Sequence, residues 1–158
     1  MADVHSSETR SKNMRAIRAR DTAIEIKLAK ILDQLGLSYL VQVSELPGKP
    51  DFIVDEYRAI IFVHGCFWHK HNCHLFKSPA SHTDFWLKKI QGNVKRDDKV
   101  IKQLSDDGWK VLVVWECALR GKHKLTDNDI SARVEEWICS SEVNAQIDTQ
   151  GISQMISS

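Results

Sequence analysis

The chain has 158 residues, of which 42% are hydrophobic and 27% charged. That length predicts one domain with its own hydrophobic core, and the composition excludes a wholly disordered chain. No apolar run approaches the ~20 residues that cross a bilayer, and the formal net charge of +1 excludes a uniformly polybasic or polyacidic protein.

Charge is unevenly placed. Residues 1–124 carry 21 Lys/Arg against 15 Asp/Glu, whereas from Leu125 onward one Arg stands against six acids. The densest run, Arg10 to Arg20, holds five basic residues and no acid. It reads either as a contact for a polyanion or as a solvated basic helix. The N-terminus lacks the apolar segment of a secretory signal. This predicts a cytoplasmic protein whose four cysteines are metal ligands or core thiols rather than disulfides.

The first 20 residues are polar and poorly patterned, an arm that orders late or on a partner. A helix then begins at Thr22, where Thr22-x-x-Glu25 has the capping-box spacing, and Gly36 stops it. Leu28, Ile31, Leu32 and Leu35 form its apolar stripe. Glu25 heads the same inward face, as the capping partner of Thr22 or as a functional carboxylate. Ser38 to Leu46 reads as a strand, broken by Pro47-Gly48-Lys49-Pro50. Asp51 to Val54 and Arg58 to His64 form a hairpin; centred on Tyr57, it pairs position 51 with position 63. Residues 65–80 are rich in Cys, His and aromatics without clean periodicity. A long helix follows from Ser81 to Asp106, with a stripe of Trp86, Ile90, Val94, Ile101 and Leu104, and Asp97 interrupts that stripe. Val111 to Trp115 is a strand, Asp127 to Cys139 a helix capped by Thr126, and residues 141–158 a polar tail. The expected organisation is an arm (1–20), one domain (21–140) and the tail. The expected class is α/β, a mixed sheet flanked by helices.

Two clusters carry chemistry. Cys66 to Cys73 packs two thiols and two imidazoles into eight residues. Cys66, His71 and Cys73 supply three donors for a tetrahedral Zn²⁺, and Cys117 could supply the fourth. The alternative is buried thiols beside surface histidines. The second cluster is Glu25, Asp51, His64, His69 and Asp97. Carboxylates in apolar patterns are costly unless paired or coordinated. Asp51 suits a hard cation such as Mg²⁺, to which the Val63 carbonyl could add a ligand. A carboxylate at Asp97 could orient His69 as a general base. Isolated core ion pairs are the alternative. Phe67 and Trp68, on a loop with little core of its own, suit insertion between base pairs. Trp86 reads as either core or wedge. Lys88, Lys89, Lys95 and Arg96 suit phosphates.

The runs Pro50-Asp51-Phe52, Phe62 to His69, Cys73 and Trp115-Glu116-Cys117-Ala118-Leu119, with Arg10 to Arg15, closely resemble the very-short-patch mismatch repair endonucleases of bacteria. The resemblance extends to about Gly151. It implies a restriction-endonuclease-like core with a zinc-stabilised loop. It also implies a nick 5′ to the thymine of a T:G mismatch left by 5-methylcytosine deamination, in double-stranded DNA of CC(A/T)GG type. By resemblance Asp51 and the Val63 main-chain oxygen hold Mg²⁺, His69 activates water and is oriented by Asp97, and His64 and Glu25 complete the site. Cys66, His71, Cys73 and Cys117 hold Zn²⁺. Phe67, Trp68 and Trp86 intercalate, and the arm with Met14 and Arg15 approaches from the other groove. A monomer on the bacterial nucleoid, with mismatch-repair proteins as candidate partners, goes with this picture. Phe62 and His64 replace the acid and lysine of the wider nuclease superfamily, and some family members carry Thr at the place of Val63. The rivals are a non-catalytic zinc-dependent DNA-binding module, which has no need of Asp51, His69 and Asp97, and a dimeric restriction endonuclease.

Overall fold

Residues 22–66, 69, 71, 73 and 81–155 are described by a computed structural model. The basic arm with Met14 and Arg15, and the aromatic pair Phe67 and Trp68, lie outside the described residues. Helix α1 (Thr22–Gln34) ends as its stripe predicts, with Gly36 at φ 74°. Such a left-handed residue is one glycine adopts without strain. Strands β1 (Leu40–Val41), β2 (Phe52–Val54) and β3 (Ala59–His64) form an antiparallel meander. Helix α2 (Thr83–Asp106) then crosses to β4 (Lys110–Trp115), which pairs parallel with β3. The short α3 (Glu116–Leu119) follows, then α4 (Asp127–Ser140), capped as expected by the Thr126 side chain accepting from Asp129 N–H at 3.1 Å.

The fold departs from the sequence-based expectation in three places. The expected strand Ser38 to Leu46 contracts to Leu40–Val41. The β2–β3 register is one residue tighter than expected, pairing Phe52 with Ile61. The loop closes as a single turn, Arg58 N–H bonding Asp55 O at 3.0 Å with Arg58 left-handed at φ 53°. Third, the segment expected to be a polar tail continues the sheet as β5 (Ala145–Asp148) and β6 (Gly151–Gln154). Strand β5 lies parallel to β4 and β6 antiparallel to β5. The result is a six-stranded mixed sheet in the order β1-β2-β3-β4-β5-β6, flanked by helices.

Alternation along the strands sorts the core onto two faces. Ala59, Ile61 and Val63 of β3, with Leu112, Val114, Ala145 and Ile147, pack against α1 and α4. Ile60, Phe62, Val111 and Val113 face α2 through Leu104, Val100 and Ile101. Near-continuous apolar runs in β3 and β4 follow from burial on both faces. The Lys110 ammonium donates to the carbonyls of Trp137, Ile138 and Ser141 at 3.0, 2.6 and 2.8 Å. It thereby places a cation on the C-terminal end of α4.

Gly48 seats the loop before Asp51 against α2. It holds φ +74°, and a Cβ there would lie 2.5 Å from Val100 Cγ1. Gly48→Ala should therefore cost about 2–3 kcal/mol through backbone strain and overpacking. In thermal unfolding the midpoint should fall by about 5–10 °C; an unchanged midpoint would show that Val100 yields freely.

Candidate active site and metal centre

The three parallel strands β3, β4 and β5 end at His64, Trp115 and Asp148, and side chains gather at that edge. Open α/β sheets place ligands outside the carboxyl ends of their strands. His64 and Trp115 are register partners, with rings edge to face at 5.3 Å. Beyond β3 the chain turns back, His69 N–H bonding Gly65 O at 3.2 Å. This brings the His69 ring parallel to His64 at 3.9 Å with an interplanar angle of 4°. Helix α2 presents Asp97 to the same place. Its carboxylate Oδ2 lies 2.5 Å from His69 Nδ1, both side chains being about four-fifths buried. A carboxylate so placed favours the tautomer with hydrogen on Nδ1, which puts the ring's lone pair on Nε2. His64, His69 and Asp97 converge closely enough to hold a cation.

Asp51 stands immediately before β2 and is 1% exposed. Its Oδ2 accepts the Val63 N–H at 2.7 Å and its Oδ1 accepts Gln42 Nε2 at 3.2 Å. The aspartate thus adjoins the strand end that carries His64, but it is outside the His64–His69–Asp97 triplet. The expected neighbourhood of Asp51 and Val63 is present, made by the carboxylate on the main chain rather than by direct pairing. Glu25 is buried on α1 at 3% exposure. Trp86 is half-buried in the first turn of α2, edge to face with the exposed Phe85 at 5.3 Å. Lys88, Lys89, Lys95 and Arg96 are exposed along α2.

The four Cys/His donors also come together. One donor atom from each of Cys66, His71, Cys73 and Cys117 lies within 4.8 Å of all the others. His71 Nδ1 is 3.6 Å from Cys66 Sγ and 3.5 Å from Cys117 Sγ. Cys117 enters from the short helix α3, directly after β4, so the cluster ties the loop to the sheet. The hydrogen bond with Cys117, then burial, pushes the Cys66 thiol up, and the same bond pulls Cys117 down. Cys139 is exposed and apart from the set.

Sequence reasoning gave no role to four surrounding residues, Trp115, Glu116, Gln146 and Asp148, the first two appearing within the run that carries the family resemblance. Glu116 Oε1 accepts the Cys66 N–H at 3.0 Å and pairs with Arg120. Asp148 Oδ2 lies 3.5 Å from His71 Nε2. Trp115 stacks on His71 at 4.2 Å with an interplanar angle of 11°, and its indole N–H donates to Gln146 Oε1 at 2.8 Å. Glu116 is legible only as the neighbour of Cys117. Gln146 and Asp148 carry no signal beyond the alternation of Ala145 and Ile147.

Comparison with known proteins gives consistent matches. The family model for DNA mismatch endonuclease Vsr matches residues 2–75. The chain is 62% identical over 152 residues to the DNA mismatch endonuclease Vsr of Escherichia coli, covering 96% of this chain and 97% of that one. It is 40% identical over 122 residues to a type II nicking enzyme of Neisseria meningitidis serogroup A, covering 77% and 87%. A second Neisseria meningitidis nicking enzyme, from serogroup C, is 33% identical over 150 residues, covering 93% and 92%.

Proposed function

We propose that this chain, which belongs to the DNA mismatch endonuclease Vsr family, nicks one strand of double-stranded DNA 5′ to the thymine of a T:G mismatch left by 5-methylcytosine deamination. The observation that carries a hydrolytic reading is the His69–Asp97 contact of 2.5 Å, stacked on His64 at the strand ends. A DNA-binding module has no use for a buried imidazole held in one tautomer. Phosphodiester hydrolysis does, because water must lose a proton as it attacks phosphorus. His69 takes that proton on Nε2, and Asp97 stabilises the imidazolium that forms. Asp51 is a buried carboxylate, an oxygen donor of the kind a hard cation selects. Asp51 and the Val63 main-chain oxygen would hold Mg²⁺, which supplies charge neutralisation at the phosphate and leaving oxygen. His64 and Glu25 complete the site.

The Cys66–His71–Cys73–Cys117 set fits Zn²⁺. Metal–sulfur bonds of ~2.3 Å and metal–nitrogen bonds of ~2.0–2.1 Å at the tetrahedral angle give an N···S edge of about 3.6 Å. The two His71–cysteine distances are 3.6 and 3.5 Å. Four protein donors leave no open position, so this site is structural. The aromatic side chains of Phe67, Trp68 and Trp86 wedge beside the mismatch, whose weak pairing makes unstacking cheaper. The arm with Met14 and Arg15 and the cations of α2 hold phosphates. The protein acts as a monomer on the cytoplasmic nucleoid, with mismatch-repair proteins as partners. No helix among the described residues is long and apolar enough to cross a membrane.

Nicking of matched, T:G and other mismatched duplexes tests this reading. T:G DNA in the CC(A/T)GG-type context should be cut on one strand, at least about 10²-fold faster than the matched duplex; a wedge gain of a few kcal/mol permits that ratio. Cleavage of both strands would favour a restriction endonuclease. Binding without any cleavage would favour the non-catalytic zinc module.

A further inference from the structure

Strand β5 brings two polar side chains to the face of the sheet that carries Trp115. Ala145 and Ile147 point into the core beside α1 and α4, so Gln146 and Asp148 project from the opposite side. Gln146 Oε1 accepts the Trp115 indole N–H at 2.8 Å, and Asp148 Oδ2 lies 3.5 Å from His71 Nε2. The two rings held in this way stack on each other at 4.2 Å. Trp115 is also in edge-to-face contact with the imidazoles of His64 at 5.3 Å and His69 at 6.4 Å.

We propose that Gln146 and Asp148 are positioning residues that orient the stacked Trp115–His71 pair, so that His71 offers its Nδ1 to the metal centre. The inference rests on the reading of the Cys/His set as a metal site. Its chemistry is simple. The Asp148 carboxylate is an ion-pair neighbour of Nε2 at 3.5 Å, and its negative charge favours hydrogen on that nitrogen. That leaves Nδ1 unprotonated and aimed at the space between Cys66 and Cys117. The negative charge also raises the electron density that the ring donates. Gln146 fixes the rotation of the indole, and the indole face fixes the tilt of the imidazole. Neither group touches the reacting atoms. Because His69 and His71 share one loop and one tryptophan, a tilt of His71 also loosens the wall behind His69.

The test is competition for zinc between a chromogenic chelator and the intact protein, run beside thermal unfolding with and without the metal. The Asp148→Ala protein should hold zinc about 10–100-fold more weakly. Asp148→Asn, whose amide oxygen still accepts from Nε2–H, should recover part of that loss. Gln146→Ala should weaken zinc by a smaller factor and lower kcat for nicking with KM little changed. Zinc affinity of Asp148→Ala within twofold of the unsubstituted protein would overturn the inference. So would equal losses of thermal stability in the zinc-loaded and zinc-free forms, which mark a role in the sheet alone. An unsubstituted protein that holds no zinc would instead overturn the metal reading on which the inference stands.

Discussion

Replacing His69 by Ala should slow nicking of a T:G duplex by about 10²–10⁴-fold, the range a positioned general base supplies. The substituted protein should still bind that duplex and retain its zinc, because His69 is outside the four-donor set. Asp97→Asn should be milder. The amide can still accept from Nδ1–H, yet it contributes no charge to stabilise the imidazolium and leaves the ring less firmly held. Asp51→Ala removes a carboxylate from the buried edge of the site and should abolish nicking even in saturating Mg²⁺. Single-turnover rates with DNA in excess of its dissociation constant separate these effects from weakened binding. Near-normal nicking by His69→Ala would transfer the base to His64 or to a metal-bound water. His64, stacked at 3.9 Å, is close enough to take that role.

Cys117→Ala should have the larger effect on stability. Truncating a buried cysteine as a small apolar residue costs about 1 kcal/mol, judged against the 2–5 kcal/mol of a larger core truncation. Loss of a structural zinc is another matter. Such sites contribute about 10–16 kcal/mol in zinc-finger peptides, and an ordinary domain has only about 5–15 kcal/mol in total. Cys117 lies in α3 two residues past β4, and Cys66 two residues past β3, so a metal held by the set would also bridge the two central strands to the loop bearing His69. Elemental analysis of protein purified without added metal should find zinc in the unsubstituted chain and none after substitution. A strong chelator should bring the unsubstituted protein down to the variant's melting midpoint and leave the variant where it is. Unchanged zinc content and midpoint in Cys117→Ala would refute the assignment.

Much of the make-up of both clusters is legible in the amino-acid sequence because residue type carries it, although of Glu25, Asp51, His64, His69 and Asp97 only the last three converge as one donor set. Two thiols and two imidazoles in one short loop are the donors that Zn²⁺ selects, and Asp97 breaks an otherwise apolar helical stripe. The elements with strong periodicity are equally legible: α1, α2, β3, β4 and α4, and with them the mixed α/β class. What depended on the tertiary structure lies at the strand ends. Strand β5 has two inward apolar residues, Ala145 and Ile147, too few for a local signal. Its pairing is supplied by Leu112 to Val114 of β4, more than thirty positions away in the chain. The β2–β3 register turned on a left-handed Arg58, a conformation that no side-chain pattern announces. Asp148, Gln146 and Glu116 read as ordinary polar residues until the sheet aligns three strand ends and the Cys/His loop folds back across them. Sequence reports what a side chain can do. Which of the polar groups face one another is decided by strand order and register, because these set distances between residues that are remote along the chain.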